Sequence, residues 1–505
     1  MSRRWVICSS IIVVRLLLVF VMAGLLCAQT EDLATKAQHG KEAMAAGEFD
    51  EAARLYAELV KAVPGNPGLI VNLGMAQFMA GRPGKAIPHF EVALKLQPGL
   101  LPAMLFLGAS YVKVGQPAKA VAPLRKVVAS QPGHAAAQQV LGGALLSLDR
   151  YAEALEHFHA LSRLDGKNPR AWYGLGKCYE ALSQRAFYNL EKTAPGSAYW
   201  LALIAGARQV QQQERSAFYF YREALAKQPG MRGLHAALAE IYRKSGHPDW
   251  AAIEEEKENK LGPINCAVKT LECDFAAAHY RELLQSATGR TTPESYYWQS
   301  RAYDALAREA FTRLAQLPPS VEIHELTAQV HRNQGRHLEA VKEWKDALKL
   351  APGDPGLRME LAISLHQSRD YPAAVALLED LLKGAPDSAE LNYLLGDSLL
   401  NLQQGEKAIV YLAKAVRRAP KNFAAHASLA RAYLQAGQST QAVPHLKAAL
   451  PIDKDGSLHF QLSRAYQGSG ERELAKQMLE KYQEIRKSVQ AEADNLEEEI
   501  QITAP

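Results

Sequence analysis

The sequence predicts an all-α repeat solenoid, and three observations carry that reading. Small residues recur 34 positions apart at Ala52, Ala86, Ala120 and Ala154, each followed four residues on by a bulky one: Tyr56, Phe90, Leu124 and Phe158. Leucine-glycine pairs keep the same interval upstream, at Leu73-Gly74, Leu107-Gly108 and Leu141-Gly142. Pro64, Pro98 and Pro132 close successive units, where proline cannot continue a helix. Self-similarity at such a period marks arrays in which one supersecondary unit is repeated.

Each position has a packing reason. In Leu107-Gly108-x-x-Tyr111 the spacing puts one apolar stripe on a first helix, and the missing glycine side chain lets a second helix approach closely. Ala120 and Leu124 supply the facing stripe, and Gly81, Gly115 and Gly437 stand where the two helices must turn. This pattern resembles the tetratricopeptide repeat, whose Trp-x-x-Leu-Gly-x-x-Tyr signature is complete as Trp172, Leu175, Gly176 and Tyr179. Further copies follow, among them Ala217 with Tyr221, Ala340 with Trp344, Leu395-Gly396 with Ala408, and Leu462 with Tyr466 and Ala475. The resemblance implies a right-handed superhelical α-solenoid of about twelve to thirteen helical hairpins, stabilised by stacking and enclosing a concave groove.

In chain order, residues 1–28 read as a signal peptide: Arg3, Arg4 and Arg15 are basic, Leu16 to Leu26 is apolar, and Leu26-Cys27-Ala28 is a tolerable cleavage site. The alternative is an uncleaved N-terminal anchor that leaves the protein membrane-tethered. Residues 33–261 form an N-terminal array, and 293–487 a C-terminal one. Within these, Trp172-Tyr173, Tyr179, Ala186-Phe187 and Leu190 match Tyr296-Tyr297, Tyr303, Ala310-Phe311 and Leu314 at a constant offset of 124, which points to an internal duplication, the alternative being two degenerate repeats. Both copies are expected to have a shortened second helix, since Pro195 arrives early after the first. Residues 262–292 read as an irregular hairpin, with a first helix of about six residues and Phe275 to Leu284 as its partner. Residues 488–505 are expected to be a polar cap or tail.

Charge narrows the partners. Residues 1–28 hold three arginines and no acid, so the remainder carries +2 of the chain's +5, and no basic stripe for nucleic acid is visible. Removal of the leader leaves Cys178, Cys266 and Cys273. In an oxidising compartment Cys266 and Cys273 are the disulfide candidate, because a short hairpin with little core gains most from a crosslink. Two reduced buried thiols, or zinc with His279, are the alternatives.

Catalytic motifs are missing. There is no Walker loop, dinucleotide glycine motif, zincin helix motif or nucleophile elbow. Gly81-Arg82-Pro83-Gly84-Lys85-Ala86 lacks the spacing and hydroxyl of a phosphate loop. His157 and His159 flank the core residue Phe158 and read as surface residues, Glu254-Glu255-Glu256 as a solvated helix face, and Cys178 as core packing. No catalytic residue, cofactor or metal is expected, and the chain is not expected to be an enzyme.

By resemblance to the family, one face of the first helix of each unit lines the groove. In the N-terminal half this gives Val71, Met75, Phe78, Leu105, Val112, Leu146, Tyr173 and Tyr199, a largely apolar set. In the C-terminal half the set is mixed: Tyr297, Arg301, Asp304, Arg332, Tyr393, Asp397 and Arg431. The same positions also suit plain helix packing. The Lys/Asn carboxylate clamp of some family members is absent, since Val71, Met75, Leu105 and Ala109 fill that kind of position. The expected function is a scaffold or adaptor that binds protein or peptide segments, exported to a periplasmic or extracellular space in a bacterial envelope, with a membrane-associated assembly open. The alternative is a regulatory or substrate-binding partner of an envelope enzyme such as a glycosyltransferase or a polysaccharide-export system.

Overall fold

The computed structural model describes residues 32–267 and 270–505, so the leader assigned to residues 1–28 lies outside the described residues. Every regular element among the described residues is helical. The chain divides into two compact units, the first ending at Leu182 and the second running from Ser183 to Pro505.

The first unit begins with α1 (32–46) and α2 (Phe49–Ala62). Three more hairpins follow: α3 (Pro67–Met79) with α4 (Pro83–Leu96), α5 (Leu101–Lys113) with α6 (Pro117–Ser130), and α7 (Ala135–Leu146) with α8 (Tyr151–Leu164). Helix α9 (Pro169–Thr193) carries the last residues of this unit and the first of the next.

The second unit continues with α10 (Ala198–Val210) and α11 (Glu214–Lys227), α12 (Leu234–Lys244) and α13 (Pro248–Lys260), then the short pair α14 (Leu271–Ala276) and α15 (Tyr280–Ala287). A long helix α16 (Pro293–Ala315) precedes α17 (Val321–Asn333) with α18 (His337–Leu350) and α19 (Pro355–Gln367) with α20 (Tyr371–Gly384). The array ends in α21 (Ala389–Asn401) with α22 (Gly405–Arg418), α23 (Phe423–Gln435) with α24 (Ser439–Ala449), and α25 (Ser457–Ser469) with α26 (Arg472–Glu499). Twelve two-helix hairpins and two single long helices thus make up the α-helices of the described residues.

The hairpins close as the spacing requires. Ala52, Ala86, Ala120, Ala154, Ala217, Ala340, Ala374, Ala408 and Ala442 have no exposed surface at all. A Cβ placed on Gly108 would stand 2.4 Å from Leu124, and one on Gly396 would stand 2.6 Å from Leu412. The first helix therefore meets the second through a bare backbone, and the bulky residue four positions after the alanine fills that gap.

The turn between the two helices is equally regular. Gly81 and Gly115 take left-handed backbone angles, φ 73° and 72°, and the equivalent positions keep that geometry without glycine at Asp149, Gln212, Arg369 and Gln403. An L-residue is strained there, so the surrounding helices hold the turn in place.

Two expectations change. The signature repeat at Trp172 is not a hairpin with a shortened second helix, because α9 runs unbroken for 25 residues, and its counterpart α16 for 23. Residues 181–187, Ala-Leu-Ser-Gln-Arg-Ala-Phe, contain no glycine or proline, so helix propagation has nothing to stop it. Ser183 meets Ser300 on α16, its Oγ lying 2.9 Å from the Ser300 hydroxyl and 3.1 Å from the Ser300 carbonyl. In the irregular segment the partner helix starts at Tyr280 rather than Phe275, because Ala278 takes a left-handed φ of 57° and turns the chain there.

Gly108→Ala is expected to lower stability by about 1–3 kcal/mol, since the added methyl overlaps Leu124. Arg369→Gly, which relieves a left-handed residue with φ 64°, is expected to raise it by up to about 1 kcal/mol. Urea midpoints of the two variants must move in opposite directions.

Candidate functional site

The residues expected to line a groove fall in both units, each set packed within its own unit. In the first unit, Met75 and Phe78 on α3 and Leu105 on α5 are half-buried at the edges of the cores around Phe90 and Val127. Phe78 spends part of its ring on Phe106, edge to face with centroids 5.5 Å apart, and Phe106 stacks on Phe90 at 6.1 Å. Val112, Leu146 and Tyr173 are also half-buried. Val71 is the exception: only 6% exposed, it packs with Ile70, Ala86 and Phe90 and is a core residue, not a wall of the groove. Ala103 and Leu107 of α5 belong to the same core, so a residue on the expected face is covered by the packing of neighbouring helices.

In the second unit the structure brings Tyr199 to Tyr297 and Arg301, which lie far from it in sequence. Tyr199 on α10 lies against Tyr297 on α16 with ring centroids 5.1 Å apart. Arg301 donates from Nη1 to the Tyr297 hydroxyl at 2.9 Å, and its guanidinium carbon stands 4.4 Å from the Phe275 ring and 5.3 Å from the Trp298 ring. A cation held among aromatic faces is stabilised by their quadrupoles. Tyr297 itself is 3% exposed and forms the floor of this cluster, not a free groove residue. Burial pushes its hydroxyl above the ordinary tyrosine value, with Arg301 pulling the other way. The irregular hairpin supplies Phe275, and Arg232 holds the end of α13 beside it by donating to the Leu261 carbonyl at 2.7 Å. Cys266 and Cys273 are bonded across the entry to α14, with Cα atoms 5.7 Å apart.

A second, polar patch lies further along the same unit. Asp397 on α21 is 8% exposed and gathers four partners from three helices. His366 Nε2 is 3.0 Å from Oδ2, Asn401 Nδ2 donates to Oδ2 at 3.0 Å, Ser428 Oγ donates to Oδ1 at 2.6 Å, and the Arg431 guanidinium is 3.8 Å away. Tyr393 joins through Ser428. Burial alone would raise the Asp397 carboxyl, but hydrogen bonds from His366 and Ser428 and the charge of Arg431 outweigh it, and the group sits below its ordinary value. Ser, His and Asp meet here without forming a nucleophilic triad. Ser428 and His366 both bind the carboxylate, whereas a triad needs the imidazole between hydroxyl and acid.

Other polar residues prove structural. His157 and His159 do point away on either side of Phe158, yet both are half-buried and engaged: His157 Nδ1 lies 2.7 Å from Gln138 Oε1, and His159 Nε2 lies 2.9 Å from the Tyr179 hydroxyl. The acidic run is not uniformly solvated either. Glu254 is 3% exposed and accepts from Lys257 at 2.7 Å while facing His235 at 2.5 Å. These contacts belong to a series that sequence reading missed. Gln138 with His157, His235 with Glu254, His324 with Glu343, and His426 with His445 are each 19 residues apart, clipping the first helix of a hairpin to its second. The signal was the fixed spacing, hidden because the residue types vary. Cys178 is buried, and burial pushes its thiol up to about 12, which removes the thiolate a nucleophile needs. Among the described residues no group of three His, Cys, Asp or Glu side chains is placed to hold a metal ion, and no helix is long and apolar enough to cross a membrane.

Models of the tetratricopeptide repeat match residues 38–100, 107–169, 144–186, 296–355 and 359–422, which is more than half of the chain, and two related models of the same repeat match 399–462 and 456–488. A comparison with curated proteins finds no match. Among solved structures, MamA from Desulfovibrio magneticus RS-1 is 23% identical over 33% of this chain and 96% of its own, with a TM-score of 0.31. A tetratricopeptide repeat protein from Parabacteroides merdae is 13% identical over 66% of this chain and 98% of its own, with a TM-score of 0.33.

The His426–His445 pair gives a pH expectation. His426 Nε2 faces the Pro420 carbonyl at 3.2 Å, and its Nδ1 meets His445 Nδ1 at 3.0 Å, so one proton is shared between the two rings. Burial, and then the neighbouring His426, hold His445 below its ordinary value. An unfolded imidazole takes up a proton near pH ~6.5 that the folded His445 takes up only at lower pH, so stability is full above that pH and declines as it falls. Thermal melting from pH 8 to 5 is expected to show a smaller decline for His445→Gln than for the parent, and equal declines would exclude the pair as the source.

Proposed function

The chain belongs to the tetratricopeptide-repeat family, and from that premise we propose that it is a non-catalytic scaffold that grips an apolar protein segment in the groove of its first unit. The observation that carries this reading is the row of half-exposed apolar side chains repeated from hairpin to hairpin: Met75 on α3, Leu105 and Val112 on α5, Leu146 on α7. A solvated face would carry charge at these positions, whereas methionine and leucine adapt to varied apolar ligands. Binding through such a row is dominated by a few anchors at its centre. The second unit, with its arginine-aromatic cluster and Asp397 network, offers polar and aromatic contacts suited to a different segment.

The setting we propose is an exported one, in a bacterial envelope, with the scaffold holding together parts of a larger assembly. Supporting it are the basic and apolar leader of residues 1–28 and the placement of Cys266 and Cys273 within bonding distance.

Two measurements bear on this. Met75→Asp and Val112→Asp are expected to reduce capture of the partner from the native membrane and exported fractions by about tenfold or more, with the melting temperature nearly unchanged. A large fall in melting temperature would return both residues to the core. Separately, the exported chain, denatured without reductant, is expected to show one reactive thiol, that of Cys178; three would mean that Cys266 and Cys273 remain reduced.

A further inference from the structure

Helix α26 is 28 residues long, whereas second helices such as α4, α6 and α8 have 14. The extra length carries the chain away from its own hairpin, and the residues after it return to the beginning of the second unit. Ile502 packs against the core formed by Phe218, Tyr242 and their neighbours. The Tyr242 hydroxyl donates to the Thr503 carbonyl at 2.7 Å, across 261 residues of sequence. Arg222 Nη1 donates to the Thr503 hydroxyl at 2.6 Å, with its guanidinium carbon 5.6 Å from the centre of the Phe218 ring. One half-buried apolar side chain, one hydrogen bond to backbone and one to a hydroxyl hold the tail in this seat.

We infer that the seam between α11 and α12 is a peptide-docking site, and that the chain's own C-terminal tail is its resident occupant. The site fits an extended segment in which a β-branched apolar residue precedes one bearing a hydroxyl, since Ile502 fills the apolar seat and Thr503 satisfies both Tyr242 and Arg222. The grip is small. Gln501, Thr503, Ala504 and Pro505 all remain exposed, so Ile502 is the one anchor within this stretch. A contact of this size holds in place because the tether keeps the tail at a local concentration of roughly millimolar. A partner segment of the same chemistry and greater length displaces it, and the site is therefore masked until such a segment arrives. This site is separate from the apolar row of the first unit and does not rest on it.

The test uses a fluorescein-labelled peptide of residues 499–505 and three forms of the chain: full length, ending at Glu499, and full length with Ile502→Asp. Fluorescence anisotropy is expected to show binding below about 0.1 mM to both altered forms, and binding about tenfold weaker to the parent, whose site is filled. Tyr242→Phe, which keeps the ring, and Arg222→Ala are each expected to weaken peptide binding by the tail-less chain about fivefold or more without changing its helical signal. Equal binding to parent and tail-less chains, or none to either altered form, overturns the inference. So does a parent dimer that dissociates when the tail is removed, because the tail would then seat on a second copy.

Discussion

Everything in this structure depends on how closely two helices can approach at one spot in each hairpin. Where Leu107-Gly108 faces Ala120 and Leu124, the absence of a side chain on one helix and a single methyl on the other let the backbones come together around one bulky residue. That contact fixes the crossing within the unit, and the crossing sets which side chains remain for the next unit and which turn outward. The groove residues are consequences of this geometry. Met75 and Leu105 are left half-buried at the rims of the cores around Phe90 and Val127.

Much of this was legible in the sequence. The alanine and glycine positions recur at fixed distance, and sterics permit few substitutes there, so the period survives in the text of the chain. The fused helices α9 and α16 were less legible, since α9 keeps the whole signature through Tyr179 and α16 keeps its aromatic ends at Tyr296 and Tyr303, and the lack of a helix breaker is what separates α9 from an ordinary hairpin. The 19-residue clips were hidden for another reason: glutamine, histidine and glutamate all serve, provided a donor meets an acceptor, so no single letter repeats.

The candidate sites followed the same rule. A position on the correct face of a helix is not thereby exposed, as Val71 and Tyr297 show; what decides is the bulk of the residues packed around it. The cluster of Tyr199, Phe275, Tyr297 and Arg301 is assembled from three helices brought together by an irregular hairpin, and no periodicity encodes an irregularity. Asp397 tells a related story. Its burial is compatible with a charge only because His366, Asn401 and Ser428 reach it from α19, its own helix and α23, a convergence that spacing along one helix does not reveal.

A repeat array built only on neighbour contacts has no preferred length, since a unit can be added or lost with little effect on the rest. The seat of Thr503 against Tyr242 changes that for the second unit. The reach from the end of α26 to α12 is a fixed distance, so one hairpin inserted or deleted between them would carry the tail past its seat or leave it short. The tail acts as a ruler, and copy number in this stretch of the chain becomes a selectable trait.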